Sequence, residues 1–388
     1  MLAQLKVESL VHGGETLARH DGRVVFLRGA APGDVVEAEL TGEGRFEHAR
    51  ALRVVERGGT RVDAPCPIVD RCGGCPVQQI SYSAQLTAKQ ELTADALERI
   101  GGLARGSYDL AAIVPSPKQL EYRRRAVLHR VPGGWGFDGT AVEECLLFEP
   151  ELQKLADAVR AVELPGATDL ALLAPGAVDV RGDVSRKHAE KLLQAARGVT
   201  LKGEMLGNAV VADEPLANGA RLRSRPDTFA QANRSAVPLL QAEALRALGD
   251  ADRVLELFCG SGTLTLPLLG SRSVTAVESG GPALSLLRKS ADEAALSVKL
   301  IAGDAAEVAR GLGAGRFDAV LLDPPRTGAA EVMRELRAPR IVYVSCDAPT
   351  LARDARLLAA RGYRLLRAVP LDLFPQTAHY EIVARFEK

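Results

Sequence analysis

A cysteine stands at the carboxyl end of an apolar, β-branched run in Arg340-Ile-Val-Tyr-Val-Ser-Cys346-Asp-Ala-Pro-Thr350. In an open α/β sheet the reacting groups lie beyond the carboxyl ends of the strands. A thiolate there is a candidate nucleophile, because sulfur attacks well even when only partly ionised. Upstream, Leu321-Leu-Asp323-Pro-Pro-Arg326 ends a second strand in a carboxylate, and downstream Phe374-Pro-Gln-Thr-Ala-His-Tyr-Glu381 offers another. A thiol and two carboxylates, with a glycine loop in the same stretch of chain, suit covalent chemistry on a small planar group. The plain alternative for Cys346 is a buried thiol that only packs. That alternative leaves the strand-end acids around it unexplained.

The elements that must position these groups are legible nearby. Val254-Leu-Glu-Leu-Phe258-Cys-Gly260-Ser-Gly262-Thr263 reads as a short strand running into a glycine loop, with Leu264-Thr-Leu-Pro-Leu-Leu as a helix start. Glycines there let a cofactor approach the backbone closely. The third glycine of the dinucleotide fingerprint is missing, so a pyrophosphate reading is weak. The next strand, Ser273–Glu278, ends in an acid where a pair of ribose hydroxyls would be held, and Leu300-Ile-Ala-Gly-Asp304 ends a third in another. Acids closing successive strands are expected of a site for S-adenosylmethionine. A single glycine loop or strand-end acid is more often structural; four such features in register favour a site. Cys259, inside the loop, is read as the small side chain the turn requires.

Cys66-x5-Cys72-x2-Cys75 is a second signal, set among turn residues that can aim several thiolates at one centre. Three thiolates leave a tetrahedral site incomplete, and Cys145 in Glu143-Glu-Cys-Leu-Leu-Phe148 is the natural fourth. Zinc and an iron–sulfur cluster both accept four thiolates, and spacing alone favours zinc. Disulfides are not expected, because the opening Met-Leu-Ala-Gln-Leu-Lys-Val has no basic region followed by a long apolar core. A cytoplasmic protein is expected, with no membrane span and no obligate protein partner evident.

The 388 residues allow two or three domains, and a hydrophobic fraction of 47% is ample for their cores. The net charge of zero neither supports nor excludes RNA, so any basic footprint must be local. Residues 1–57 show short alternating strands, Leu5–Glu8, Arg23–Leu27, Asp34–Leu40 and Ala49–Val55, separated by glycine turns that include Gly42-Glu-Gly44. Such spacing suggests a small barrel. Residues 58–225 carry the cysteines, a helix around Ala84–Ile100, and two basic stretches, Tyr122-Arg-Arg-Arg125 and the alternating Arg221, Arg223 and Arg225. Each stretch is read evenly as a solvated face or a phosphate contact. Residues 226–388 form the expected catalytic domain.

The chain resembles the S-adenosylmethionine-dependent RNA 5-methyluridine methyltransferases, of the type that modifies 23S rRNA. The resemblance rests on Phe229-Ala-Gln231-Ala-Asn233, Leu257-Phe-Cys-Gly-Ser-Gly262, Asp323-Pro-Pro-Arg326, Ser345-Cys346-Asp-Ala-Pro-Thr350 and Phe374-Pro-Gln-Thr-x-His379-x-Glu381. With the N-terminal features it covers nearly the whole chain. It implies an α/β fold: a Rossmann-like class I methyltransferase domain, an N-terminal OB-like TRAM β-barrel that binds RNA, and a small central iron–sulfur domain. It implies a [4Fe-4S] cluster on Cys66, Cys72, Cys75 and Cys145, a scaffold rather than a redox centre. The last strand, Ile382–Phe386, would insert antiparallel beside Arg340–Val344, so that Glu381 meets Cys346.

In the reaction that the resemblance implies, the Cys346 thiolate attacks C6 of uracil, C5 takes the methyl group, and Glu381 removes the C5 proton. Gln231, Phe258, Thr263, Glu278, Asp304 and Asp323 would bind the cofactor. Glu278 would hold the ribose, with Asp304 near the adenine and Asp323 near the methionine end. Two departures stand out: Asp347, where the family commonly has Asn, and Thr263, where some members have Asn. An RNA cytosine-5 methyltransferase also uses a cysteine, but Glu381 as a dedicated base argues for uracil. A non-catalytic iron–sulfur RNA-binding protein would need neither nucleophile nor base. The expected partner is 23S rRNA at a uracil-1939-type site, with a tRNA T-loop or a second rRNA site as the alternative.

Overall fold

The computed structural model describes residues 1–41, 46–313 and 315–388. Strands β1 (Leu2–Leu10), β2 (Thr16–His20), β3 (Arg23–Arg28), β4 (Val35–Thr41) and β5 (Glu47–Glu56) close into a barrel in the order β1-β2-β3-β5-β4. Alternation turns Leu5, Val7, Ala18, Val25, Leu27, Val36 and Ala38 into its core. The sequence indicates four of these strands. It conceals β2, whose Thr-Leu-Ala-Arg-His buries only Thr16 and Ala18 and so carries almost no apolar signal. The turn expected at Gly42-Glu-Gly44 lies outside the described residues. Asp34 ties the barrel to the central segment, its carboxylate accepting from Gly58 N at 2.9 Å and Arg61 Nε at 2.7 Å.

Next along the chain come α1 (Val69–Cys72), α2 (Tyr82–Arg99), β6 (Asp109–Leu110), β7 (Arg125–Val131), β8 (Gly134–Phe137), β9 (Thr140–Ala141), α3 (Pro150–Arg160), β10 (Ala167–Leu173), β11 (Ala177–Gly182), α4 (Arg186–Lys191), β12 (Gly198–Leu201), β13 (Glu204–Gly207), β14 (Val211–Pro215) and β15 (Arg221–Ser224). Seven of these strands form one sheet, in the order β13-β12-β11-β10-β7-β8-β9. Helix α3 begins with Pro150 in its first turn and buries Leu152, Leu155, Ala156 and Val159, one helical face, against Leu170, Leu172 and Val178 of that sheet.

The basic stretches here are not phosphate-facing arrays. Tyr122 and Arg124 are buried, and Arg124 donates from Nε to Gln231 O at 3.0 Å and pairs with Asp213. Arg223 is likewise buried, paired with Glu293 and bonded to Ser290 Oγ, while Arg225 pairs with Asp227. Both readings weighed from sequence therefore fail for Arg124 and Arg223. Their charges are spent inside the fold.

The third assembly contains α5 (Val237–Leu248), β16 (Arg253–Leu257), β17 (Ser273–Glu278), α6 (Gly281–Glu293), β18 (Lys299–Ala302), α7 (Ala305–Gly311), β19 (Ala319–Leu322), α8 (Ala330–Glu335), β20 (Arg340–Ser345), α9 (Ala348–Ala359), β21 (Arg364–Leu371) and β22 (Glu381–Glu387). Its sheet runs β18-β17-β16-β19-β20-β22-β21-β6, parallel from β18 to β20, with β22 antiparallel between β20 and β21. The last strand thus inserts where expected. The helix expected from Leu264 shrinks to one 3₁₀ turn, Leu266–Leu268. Pro267 cannot donate and its ring blocks the preceding turn, and Asn218 Nδ2 takes up Leu266 O and Leu269 O instead. Helix α2 packs on this assembly, its Ala96 and Leu97 sharing a core with Leu351, Ala352 and Ala355 of α9.

Candidate active site

Strand polarity brings the reacting groups together. Ser345 pairs with Ile382 across β20 and β22, so the antiparallel register carries the next residues, Cys346 and Glu381, side by side. Leu322 pairs with Tyr343 in parallel register, which brings Asp323 out at the same edge. Burial pushes the Cys346 thiol up to about 11, with the Glu381 and Asp323 carboxylates adding to it and the Arg326 guanidinium opposing them. Glu381 is buried and its Oε2 has no partner among the described residues; burial first, then Asp323, raises its carboxyl well above the ordinary range. Burial raises Asp323 as well. A half-buried thiol, two hard-to-ionise acids and one guanidinium meet at one point.

The turn that carries Cys346 is tightly made. Asp347 caps α9, its Oδ1 accepting from Thr350 N at 2.9 Å, and Ser345 Oγ receives Asp347 N at 3.2 Å. Burial alone would raise the Asp347 carboxyl, but His12 and Thr350 hold it down at about 2. Arg326 is aligned by His379, their Nη2 and Nε2 atoms 3.3 Å apart. Burial and then the neighbouring cations, Arg326 first, push His379 down to about 4, so a neutral imidazole can accept from the guanidinium.

The segment leading to Glu381 is held from outside the catalytic sheet. Lys89 of α2, fully buried, reaches Asp372 Oδ1 at 2.7 Å and Phe374 O at 3.3 Å. Gln85 of α2 pairs its side-chain amide with Gln376 at both ends, and Gln376 holds a left-handed φ of 68°. Tyr122 Oη donates to Pro375 O at 3.0 Å and Asn233 Nδ2 to Leu373 O at 3.0 Å.

The glycine loop after β16 has the shape of a ligand cradle. Phe258 takes φ 62°, uncommon for a residue with a side chain, and Gly260 takes φ 54° with open space where a Cβ would stand. Glu278 closes β17 and ties the loop down, accepting from Gly260 N at 3.0 Å and Gly280 N at 2.7 Å. Asp304 ends β18 as the N-cap of α7, accepting from Ala306 N and Glu307 N on Oδ1. Thr263 lies in the loop, its carbonyl bonded to Gln241 Nε2 at 2.8 Å. Gln231 is buried with Oε1 unpartnered among the described residues.

One acid was missed in the sequence. Glu256, mid-strand in β16, is buried with Oε2 unpartnered among the described residues, and burial, with Asp323 adding, pushes it up to about 8. The available signal was an acid between two leucines in a strand that should be apolar throughout. The unpartnered Glu256 oxygen, in the field of Asp323, fits a ligand bearing positive charge, as the sulfonium and ammonium of S-adenosylmethionine do.

Cys66, Cys72, Cys75 and Cys145 line one pocket with Val142 and Leu147, all as free thiols. Burial pushes Cys75 up to about 12, with Cys145, Cys72 and Cys66 each adding, so the four are electrostatic neighbours. Among the described residues no group of three or more Cys, His, Asp or Glu stands in metal-ligand geometry. Four cysteines facing one pocket fit a cationic centre that would bind them as thiolates. Thr140 Oγ1 donates to Arg71 O at 2.7 Å and fastens the Cys145 side of the pocket to the Cys72 side.

A sheet of this order, with a glycine loop after β16 and acids beyond its strand ends, has the form of an S-adenosylmethionine-dependent methyltransferase domain. A model of the tRNA (Uracil-5-)-methyltransferase family matches residues 208–388, and one of the TRAM domain matches residues 4–45. The chain is 35% identical to the 23S rRNA (uracil(1939)-C(5))-methyltransferase RlmD of Pseudomonas putida, over 99% of this chain and 93% of that one. It is 34% identical to the enzyme of the same name in Pectobacterium atrosepticum, over 98% and 92%. The solved structure of the Pyrococcus abyssi tRNA (uracil-54, C5)-methyltransferase with S-adenosyl-L-homocysteine superposes with a TM-score of 0.75 at 21% identity, covering 98% of this chain and 99% of that one.

The chain belongs to the RNA uracil-C5 methyltransferase family, enzymes that methylate uracil at C5 with S-adenosylmethionine as donor. It carries the family's methyltransferase fold and an N-terminal TRAM barrel. No helix among the described residues is long and apolar enough to cross a membrane.

Proposed function

We propose that the chain methylates C5 of a uridine in 23S rRNA, at a site equivalent to the uracil 1939 named for its relatives, with Cys346 as nucleophile and Glu381 as base. The observation that carries this is the register that sets Cys346 beside a buried Glu381 with no partner for Oε2 among the described residues. The bound cofactor supplies an electrophilic methyl group. Attack of the Cys346 thiolate at C6 moves an electron pair towards C5, which then takes the methyl. Glu381 accepts the C5 proton, and the returning electrons expel Cys346 from C6. A carboxylate raised by burial is a stronger base than an exposed one, which suits proton removal from carbon. Arg326 offsets the negative charge around the thiolate.

The cofactor would be held by Gln231, Phe258, Thr263, Glu278, Asp304 and Asp323. Glu278 and Asp304 already spend oxygen lone pairs on backbone N–H groups, so they are held rigidly in place for that role. Cys66, Cys72, Cys75 and Cys145 would carry a [4Fe-4S] cluster that stiffens the central segment, since uracil methylation exchanges no electrons. Residues 1–57 would bind RNA, residues 58–225 would carry the cluster, and residues 226–388 would perform the chemistry. Ribosomal RNA as substrate implies the cytoplasm.

Glu381→Gln tests the mechanism. The amide is nearly isosteric but cannot take the C5 proton, so turnover should fall by ~10²-fold or more. A methylated enzyme–RNA adduct should then accumulate on denaturing gels with unmodified uridine. Normal turnover of Glu381→Gln would refute the assignment of the base, and binding of cofactor without methyl transfer would move Glu381 to an earlier role.

A further inference from the structure

The barrel reaches into the active site through its first turn. His12 stands between β1 and β2, half exposed, with Nε2 3.2 Å from Asp347 Oδ2. Asp347 uses its two oxygens separately: Oδ2 meets His12, while Oδ1 caps α9. Its main chain is locked to Ser345 Oγ from both sides, N donating at 3.2 Å and O accepting at 3.0 Å. Cys346 is the single residue enclosed by that lock.

The turn itself has no freedom to drift. Val11 N donates to Glu15 O at 2.8 Å and Gly14 N to Val11 O at 3.2 Å. Gly14 takes φ 89°, and a Cβ there would lie 2.7 Å from Pro76 Cγ and 3.1 Å from Ala378 Cβ. Pro76 follows Cys75, and Ala378 lies in the segment that ends at Glu381. One barrel turn therefore touches the nucleophile turn and the base segment together.

We infer that His12 is a positioning residue for Cys346: through Asp347 it fixes the turn that presents the thiol. The inference rests on the reading of Cys346 as nucleophile. The charged groups facing Cys346 are Glu381 from β22, Asp323 and Arg326 from the segment after β19, and Asp347 from its own turn. Among the three acids only Asp347 is contacted from the barrel. Removing the imidazole frees Asp347 Oδ2 and leaves the Cys346 turn held by its own cap and by Ser345 alone. A side chain at position 12 that can donate to Asp347 therefore keeps the thiol in place, and one that cannot lets the turn move.

The test uses the full chain with S-adenosylmethionine and RNA carrying 5-fluorouridine, whose C5 substituent cannot leave as a proton. Adduct formation is timed at saturating RNA for wild type, His12→Ala, His12→Lys, Asp347→Asn and the His12→Ala/Asp347→Asn double variant. Alkylation of Cys346 by iodoacetamide is followed against pH in parallel. His12→Ala should slow adduct formation ~5–10-fold, with RNA affinity altered less than ~2-fold. His12→Lys, which can still donate to Asp347, should restore the rate. Asp347→Asn should lower the alkylation midpoint, and adding His12→Ala in that background should slow the reaction less than it does in wild type. An unchanged rate in His12→Ala overturns the inference, as does an equal effect in the Asp347→Asn background; loss of RNA affinity alone makes His12 an RNA contact instead. Persistence of the adduct in Cys346→Ala would separately overturn the nucleophile reading.

Discussion

Glu256→Gln should stabilise the ligand-free protein while weakening its grip on the cofactor. Glu256 is buried, its Oε2 lacks a partner among the described residues, and its carboxyl is pushed from 4.5 to about 8 chiefly by burial. The folded-state value lies above the unfolded one, so the group is harmless below pH 4.5 and increasingly costly as pH rises to about 8. At 1.36 kcal/mol per tenfold change in proton affinity, that amounts to about 3 kcal/mol at pH 7 and less than ~1 kcal/mol at pH 5. Glutamine fills the same space without a titratable charge and should remove the penalty. Urea unfolding of both proteins at pH 5 and pH 7 measures it: the midpoints should nearly coincide at pH 5 and separate at pH 7 with equal m-values. The cationic donor should reverse the sign. Calorimetry should show S-adenosylmethionine binding tightening between pH 6 and 8 in wild type and less steeply in Glu256→Gln, where Asp323 still ionises over that range. Unfolding curves separated equally at both pH values would show that the Glu256 carboxyl is not raised, and the cradle argument would fall with it.

Cys346→Ala should abolish the covalent complex with 5-fluorouridine RNA, whereas Cys259→Ala, at a buried loop position, should retain it; mass spectrometry of the trapped species identifies the thiol. Protein purified without oxygen should contain close to four iron and four sulfide per chain and be brown, and Cys145→Ser should lose the colour. Stoichiometric zinc without iron would refute the cluster.

The strand-end chemistry was readable because a parallel strand buried on both faces is a continuous apolar run, and a polar residue closing it stands out. Cys346 and Asp323 are of this kind; Glu278 closes the partly buried β17 and Asp304 follows the exposed edge strand β18, where only the short apolar run marked it. Glu256 escaped notice because the same reasoning searches ends rather than middles. The barrel was legible in its apolar strands and not in β2, whose two inward side chains, Thr16 and Ala18, are too small or polar to mark a strand. Tyr122-Arg-Arg-Arg125 misled because local composition cannot reveal that Asp213 and the Gln231 carbonyl lie across the fold to receive Arg124. His12 offered no local signal either: its partner is more than three hundred residues away in sequence.

These long-range contacts explain why the base segment needs the rest of the chain. A glutamate at the first residue of β22 inherits its position from the connection before it, and residues 372–380 form no strand or helix of their own. Four of their backbone groups are satisfied by the side chains of Lys89, Gln85, Tyr122 and Asn233, none of which belongs to the catalytic sheet. The Lys89–Asp372 pair is fully buried, and a buried ion pair is weak evidence for stability because desolvation offsets much of the attraction. What it contributes is geometry: breaking either side strands a charge in the core, so alternative courses of the segment are excluded. The nucleophile turn is fixed by its own cap and by the barrel, and the base segment by α2 and the residues around Tyr122. Cys346 and Glu381, already neighbours through the β20–β22 register, are thus also braced by the barrel turn, by α2 and by the residues around Tyr122, so their alignment draws on contacts from all three parts of the chain.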